Sequence, residues 1–153
     1  MSEAFEKVRE DGLQLSDDRA LIDMDRVHGW LTGTYWARGV SRAAVAKRLA
    51  GSRVYGIYDG GRQVAIARAV TDDASYVWVC DVFVDASVRG RGIGKWLVGS
   101  LVEHLQGFGI RRFVLATRDA HGVYEQVGFR PLRVPETWME IDDRPTRPPA
   151  SGD

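Results

Sequence analysis

Three glycines occupy every second position of the segment from Arg89 to Lys95, which reads RGRGIGK and carries three basic residues. Glycine adopts positive φ angles and lets another group approach the backbone closely. Successive backbone N–H groups just ahead of a helix form a nest for anions, and the helix dipole adds about half a positive charge there. The side chains of Arg89, Arg91 and Lys95 add full charges. The loop is therefore a predicted phosphate or pyrophosphate site.

Two common nucleotide-binding motifs do not fit this loop. A P-loop has glycine five residues before its Gly-Lys pair and Ser or Thr after it, whereas Arg89 and Trp96 occupy those positions. A dinucleotide fingerprint has the spacing G-x-G-x-x-G, whereas the glycines here run G-x-G-x-G. These differences argue against an ATP-binding or NAD-binding domain.

The loop joins a predicted strand to a predicted helix. Residues 76–84 are apolar except for Asp81, which is typical of a strand covered on both faces. Residues 92–107 have an apolar stripe at helical spacing, and residues 112–117 form the next predicted strand. A strand, a helix and a strand in this order favour a parallel crossover.

The remaining pattern adds helices at 23–31 and 41–49, a hairpin of strands 53–58 and 63–71, and a short helix at 120–127. Two late strands, 129–132 and 138–141, complete the prediction as a closing hairpin. The order predicts an α/β (α+β) domain over residues 12–142. Residues 1–11 are a polar segment expected to fray, and residues 143–153 are a predicted disordered tail.

The pattern Arg-x-x-Gly-x-Gly is formed by Arg89, Gly92 and Gly94. With its flanking strand and helix, it resembles the GNAT superfamily, the general N-acetyltransferases, over residues 77–129. The segments IDMDRVHGWLTGTYW and TRDAHGVYEQVGF look like a bacterial branch whose acceptors are mostly unassigned. The resemblance implies a mixed, mostly antiparallel sheet with one parallel strand-helix-strand crossover and a splayed central strand.

The resemblance also implies acetyl-CoA as co-substrate. The backbone of Val82, Phe83 and Val84 would bind the pantetheine arm and thioester. The pyrophosphate would lie on Arg89, Gly90, Arg91, Gly92, Ile93, Gly94 and Lys95. Ala86 departs from the family pattern, since many members have proline there, and this change affects only the stiffness of the loop.

A tyrosine four residues before a Gly-Phe pair is a second feature of the family, and Tyr124, Gly128 and Phe129 match it. The resemblance assigns Tyr124 as the general acid. A phenol with a pKa near about 10 is well matched to protonate a thiolate whose thiol has a pKa near about 8.5. The alternative is a tyrosine whose ring packs in the core.

The attacking amine must also lose a proton, and Asp81 is the leading candidate for the base. A carboxylate partly removed from water is a good proton acceptor. The alternative is a carboxylate bound by backbone groups or by an arginine. His121, on the same helix face as Tyr124, is a second base, a substrate contact or a surface residue.

The acceptor is expected to bind against aromatic side chains of the early helices and the late hairpin, namely Trp30, Tyr35, Trp36 and Trp138. Asp23, Asp25 and Glu136 lie near them in the sequence. An aromatic and acidic cleft would suit a cationic amine. Core packing of the same aromatics is the equal alternative.

Bulk composition narrows the class of protein. The 21 basic and 21 acidic residues cancel, which argues against a nucleic-acid or anionic-membrane partner. Cys80 is the single cysteine, which fits a reducing cytoplasm, and the three histidines show no metal-ligand spacing. We therefore expect a cytoplasmic monomer or homodimer without metal.

These features predict an acetyl-CoA-dependent N-acetyltransferase. Its acceptor is a primary amine of a small molecule or peptide, acetylated by direct attack in a ternary complex. The alternative function is a non-catalytic acyl-CoA-binding module or sensor.

Overall fold

Six strands form one sheet in which spatial order follows chain order. They are β1 (Glu6–Val8), β2 (Gln14–Ser16), β3 (Arg53–Asp59), β4 (Arg62–Thr71), β5 (Val77–Val84) and β6 (Phe113–Val114). Neighbouring strands are antiparallel except for the parallel pair β5 and β6. The computed structural model describes residues 3–145, and over them it confirms the predicted mixed, mostly antiparallel sheet.

Within residues 3–145 four α-helices flank the sheet, and the sequence predicted all four. They are α1 (Met24–Thr32), α2 (Arg42–Ala50), α3 (Ile93–Gln106) and α4 (His121–Val127). Asp23 caps α1 and Ser41 caps α2, each through a side-chain oxygen that accepts a backbone N–H of the first turn. Within residues 3–145 no helix has the length and apolar character needed to cross a bilayer.

The sheet is buried between two apolar layers. On one face, Leu97, Leu101 and Leu105 of α3 pack with buried residues of the central strands. On the other face, residues of α1 and α2 pack with Val54 and Ile66. β5 departs from the prediction of a strand covered on both faces: Val77 and Val79 are buried with α3, whereas Trp78 is 47% exposed and lines a cleft.

β6 is much shorter than the predicted strand 112–117. Only Phe113 and Val114 pair with β5, opposite Val77 and Trp78. β5 continues to Val84, so the two parallel strands separate after their first two pairs. This separation is the splay of the central strand that the sequence predicted by resemblance.

Two predictions about the chain ends are wrong. The N-terminal segment does not fray throughout, because Glu6–Val8 pairs with Gln14–Ser16 and adds two strands at the β3 edge. The late strands 129–132 and 138–141 are absent from the described residues. Pro131 and Pro135 remove backbone donors from that segment, and Met139 and Ile141 are exposed and bury no apolar face. The predicted tail, 143–153, lies outside the described residues from 146 onward.

Gly56 in β3 allows a close contact on which we base a prediction of stability. A Cβ atom at this position would lie 2.5 Å from the hydroxyl of Tyr58 and 2.8 Å from its ring. Tyr58 is only 4% exposed, so its ring has little room to move. We expect Gly56→Ala to destabilise the fold by about 1–3 kcal/mol, the usual cost of overpacking.

The matched control is Gly29→Ala, because Gly29 lies within α1 and a Cβ there meets no atom within 4 Å. Alanine at that site should maintain or raise the unfolding temperature, since it favours the helix. Thermal unfolding of both variants tests the prediction. Equal unfolding temperatures for Gly56→Ala and the parent chain would contradict it.

Candidate active site

A β-bulge interrupts β5 at the centre of the sheet. From Cys80 to Phe83 the strand advances three residues, while β4 advances two, from Arg68 to Ile66. Asp81 in this bulge has φ of 50°, in the left-handed region that few residues other than glycine adopt. A bulge bends its strand, and this bend directs the end of β5 away from β6.

The bend leaves one edge of β5 open. β6 pairs only with Val77 and Trp78, so within residues 3–145 the rest of that edge has no strand partner. Val82, Phe83 and Val84, the residues expected to bind pantetheine, lie on this stretch and line a large cleft. An extended chain of amide groups fits such an edge in the way an added strand does.

The glycine-rich loop meets the cleft at the N-terminus of α3. Gly90 and Gly92 have φ of 84° and 70°, which only glycine adopts without strain. Gly92 is the N-cap of α3 and gives no side-chain cap, unlike Asp23 and Ser41 on the first two helices. The first N–H groups of α3 therefore lack a capping side chain, and together with the helix dipole they fit a phosphate anion.

The basic side chains of the loop do not all face the cleft. Arg89 and Lys95 line it, and the Arg89 guanidinium lies 5.5 Å from the Phe83 ring centroid. Arg91 turns the other way, with Nη2 bound to Oδ2 of Asp11 at 2.8 Å. Hydrogen bonds from Arg9 and Arg91 hold the pKa of the Asp11 carboxyl well below its usual range. Arg91 thus connects the loop to the turn between β1 and β2.

Tyr124 lies on α4 and lines the same cleft. Gly128 ends α4 with φ of 114°, and the N–H of Phe129 donates to the Tyr124 carbonyl at 3.1 Å. The change of chain direction at Gly128 brings the Phe129 ring edge-to-face against the Tyr124 ring, with the ring centroids 6.0 Å apart. Burial, with smaller contributions from Tyr35 and Asp119, raises the pKa of the Tyr124 phenol, so it stays protonated at neutral pH.

Asp81 lines the cleft with a side chain that is only 3% exposed. Its Oδ1 accepts a hydrogen bond from Nε1 of Trp36 at 2.9 Å, and its Oδ2 pairs with Nε of Arg68 at 2.8 Å. Both oxygens are therefore engaged with donors. This geometry favours the arginine-bound alternative that the sequence left open for Asp81.

Cys80 precedes the bulge and also lines the cleft. Burial raises the pKa of its thiol to about 11. The thiol is therefore protonated at neutral pH, and a protonated thiol is a poor nucleophile. This state favours direct attack by the acceptor over an acyl-cysteine intermediate.

Two of the five predicted acceptor contacts line the cleft. Tyr35 and Trp36 stand edge-to-face with ring centroids 5.0 Å apart. Trp30 does not line the cleft; its Nε1 donates to Oδ2 of Asp85 at 3.0 Å. His121, at the start of α4, and Trp138 are exposed outside the cleft.

The three acidic residues expected near the acceptor do not line the cleft. Asp23 caps α1, Asp25 pairs with Arg42 at 2.9 Å, and Glu136 lies outside the cleft. Besides the basic residues of the loop before α3, five arginines line the cleft, and no local sequence motif marks them. They are Arg38, Arg48, Arg68, Arg118 and Arg144.

The cleft measures about 1300 Å³ and connects these parts. Sites for one drug-sized ligand measure roughly 300–1,000 Å³, so the volume suits two substrates bound side by side. The open edge of β5, the N-terminus of α3, Tyr35, Trp36 and Tyr124 all line this one cleft.

Comparison with known proteins assigns this arrangement to a family. The model of the acetyltransferase (GNAT) family matches residues 18–129, well over half of the chain. The structure of a protein from Xanthomonas campestris pv. campestris, assigned to the same family, is 37% identical and superposes with a TM-score of 0.81. That match covers 89% of this chain and 95% of the other.

Two similar proteins are also named as acetyltransferases. A protein of Gibberella zeae, named as an acetyltransferase, is 27% identical over 141 residues, which cover 78% of this chain and 80% of that one. A rice glucosamine 6-phosphate N-acetyltransferase is 36% identical over 75 residues, 44% of this chain and 46% of that one. The chain belongs to the acetyltransferase (GNAT) family, and it is an acyltransferase enzyme.

Proposed function

We propose that this protein is an N-acetyltransferase that transfers the acetyl group of acetyl-CoA to a primary amine of a small molecule or peptide. Transfer proceeds by direct attack of the amine while both substrates are bound. The observation that carries the proposal is the continuity of one cleft from the open β5 edge and the α3 N-terminus to the phenol of Tyr124.

The residues of the chain fit acetyl-CoA at one end of the cleft. Val82, Phe83 and Val84 present the open strand edge for the amide groups of pantetheine. The backbone from Gly90 to Lys95 holds the pyrophosphate at the α3 N-terminus, and Arg89 and Lys95 add charge at the cleft wall. Acetyl-CoA itself supplies a thioester, which is an activated acyl donor.

Tyr124 supplies the proton that the reaction needs at sulfur. When the amine nitrogen bonds to the acetyl carbon, the carbon–sulfur bond breaks and leaves a thiolate. The buried, protonated phenol of Tyr124 donates to that sulfur and recovers its proton from water afterwards. Charge therefore does not build up on the leaving group.

The proton that the amine loses goes to water. Asp81 instead fixes the side chains beside which the acceptor binds. Its carboxylate holds the Arg68 guanidinium and the Trp36 indole in place. Both oxygens of this carboxylate already accept hydrogen bonds from those donors, which argues against direct transfer of the amine proton to Asp81.

Asp81→Asn separates these two roles without changing the backbone, because asparagine tolerates the left-handed conformation found at this position. We expect kcat/KM to fall about tenfold at every pH, since the variant loses the ion pair with Arg68. The acid limb of the pH–rate profile should stay in place. An acid limb that flattens or moves in the variant would instead identify Asp81 as the base.

Release of free thiol from acetyl-CoA in the presence of a panel of primary amines tests the proposed function, with mass spectrometry to detect the acetylated amine. Thiol release that depends on an amine, with one acetyl group gained by that amine, is the expected result. Acetyl-CoA binding without thiol release from any amine would leave the alternative, a non-catalytic binding module.

A further inference from the structure

The cleft carries a strong excess of positive charge in a chain whose net charge is zero. Seven basic side chains line the cleft. Among the described residues, the acidic side chains that line it are those of Asp81 and Asp119. Arg89 and Lys95 belong to the loop before α3 and face the expected phosphates. Five arginines remain against two aspartates, and they come from separate parts of the chain.

Three of these five arginines have an acidic partner. Arg68 pairs with Asp81 at 2.8 Å, Arg118 lies 3.7 Å from Asp119, and Arg144 pairs with Asp142, which does not line the cleft. Arg48, in the last turn of α2, is half-buried and lines the cleft. Over residues 3–145 its guanidinium makes no hydrogen bond or ion pair that would compensate its charge.

Arg48 and Arg68 line the same cleft, and the Ser52 hydroxyl connects them: it accepts from Nη1 of Arg68 at 3.0 Å and donates to the backbone carbonyl of Arg48 at 2.7 Å. The described hydrogen bonds of Arg68, to Asp81 and to Ser52, use two of its five N–H groups. Both guanidinium groups therefore have donors left for a ligand in the cleft.

A half-buried guanidinium without an acidic partner, such as that of Arg48, has lost part of its hydration, and a bound anion offsets that cost. The planar guanidinium matches a carboxylate or a phosphate with paired hydrogen bonds. The same positive field disfavours the protonated form of an amine bound close by. A cleft of this kind therefore selects an anionic molecule and helps its amine to lose a proton.

We propose that the acceptor is an amine that also bears an anionic group, a carboxylate or a phosphate, and that Arg48 and Arg68 bind this group. The inference rests on the proposed function and adds the substrate class. Tyr35 and Trp36 border the same end of the cleft and would contact the carbon frame of the acceptor.

The experiment compares amines that differ only in the anionic group. β-Alanine is paired with β-alaninamide to test a carboxylate, and phosphoethanolamine is paired with ethanolamine to test a phosphate. For each probe, kcat/KM is measured by thiol release, and affinity is measured by calorimetry on protein saturated with free CoA. In at least one pair the anionic member should exceed its neutral partner by about tenfold or more in kcat/KM or in affinity.

Arg48→Gln tests the residue, with Lys47→Gln as the matched control, because Lys47 is the exposed neighbour on α2 and does not line the cleft. The preference for the anionic member should fall about tenfold in Arg48→Gln, the usual effect of losing one charge-assisted hydrogen bond. It should recover in part in Arg48→Lys and stay unchanged in Lys47→Gln. Unfolding temperatures confirm that the variants are folded.

Equal affinity and turnover for both members of each pair, or no response to any of the four probes, would overturn the inference. A preference that persists in Arg48→Gln would overturn the role of Arg48. These outcomes are distinct from failure of the proposed function, which is absence of acetyl-CoA binding or of amine-dependent thiol release with every amine.

Discussion

Replacing Tyr124 by phenylalanine should lower kcat by about a hundredfold or more while leaving the affinity for acetyl-CoA nearly unchanged. General acid catalysis contributes about 10²- to 10⁴-fold, and the variant removes only the hydroxyl. The ring remains to pack against Phe129, so the fold of α4 should be preserved. Stopped-flow or steady-state thiol release, with calorimetry for acetyl-CoA, measures the two quantities.

Tyr76→Phe is the matched control, because Tyr76 also loses a phenol hydroxyl but lies outside the cleft. Its rate should equal that of the parent chain.

The raised pKa of Tyr124 leads to a second test, by pH. The phenol can donate a proton only below its pKa, so loss of its proton should not lower kcat below about pH 10. A parent-like rate for Tyr124→Phe would remove its role as the acid.

Gly92→Val should weaken acetyl-CoA binding by well over tenfold. Gly92 has φ of 70°, and a residue with a Cβ costs roughly 1–2 kcal/mol in that region. No atom of the protein lies within 4 Å of the position a Cβ would take, so the space next to this backbone is open to a ligand. Valine would fill that space and disturb the first turn of α3, where the pyrophosphate is expected.

Gly109→Val is the control for backbone strain. Gly109 has φ of 90° and equally open surroundings, but it follows α3 at the end remote from the loop and does not line the cleft. Both variants should lose stability, and only Gly92→Val should lose affinity. Similar acetyl-CoA affinity in Gly92→Val and the parent chain would contradict the assignment of the loop.

The parts of the fold with strong local signals were predictable from the sequence. Asp23 and Ser41 begin their helices as side-chain caps, and the apolar stripe of α3 fixes its buried face. β1 and β2 were missed because each has three residues, too few for an alternating pattern, and their stability comes from pairing with β3. The predicted late strands carried alternating residues but find no partner strand in the structure.

The residues of the candidate site also divide into those with a local sequence signal and those without one. The loop at 89–95 and Tyr124 stand out in the sequence because each belongs to a compact motif whose parts lie within a few residues. The arginines of the cleft do not stand out, because Arg38, Arg48, Arg68 and Arg118 come from different parts of the chain and meet only when the sheet and helices are assembled. Aromatic density near α1 pointed to Tyr35 and Trp36, which line the cleft, but spacing alone did not show that Trp30 turns to Asp85.

Calorimetric titration of the parent chain with acetyl-CoA, beside free CoA and ATP, tests whether the cleft is an acetyl-CoA site. We expect micromolar binding of acetyl-CoA, comparable binding of free CoA, weak or no binding of ATP, and loss of acetyl-CoA binding in Gly92→Val. Failure of the parent chain to bind acetyl-CoA, or tighter binding of ATP, would contradict this expectation, and the roles given to Tyr124 and Asp81 would fall as well.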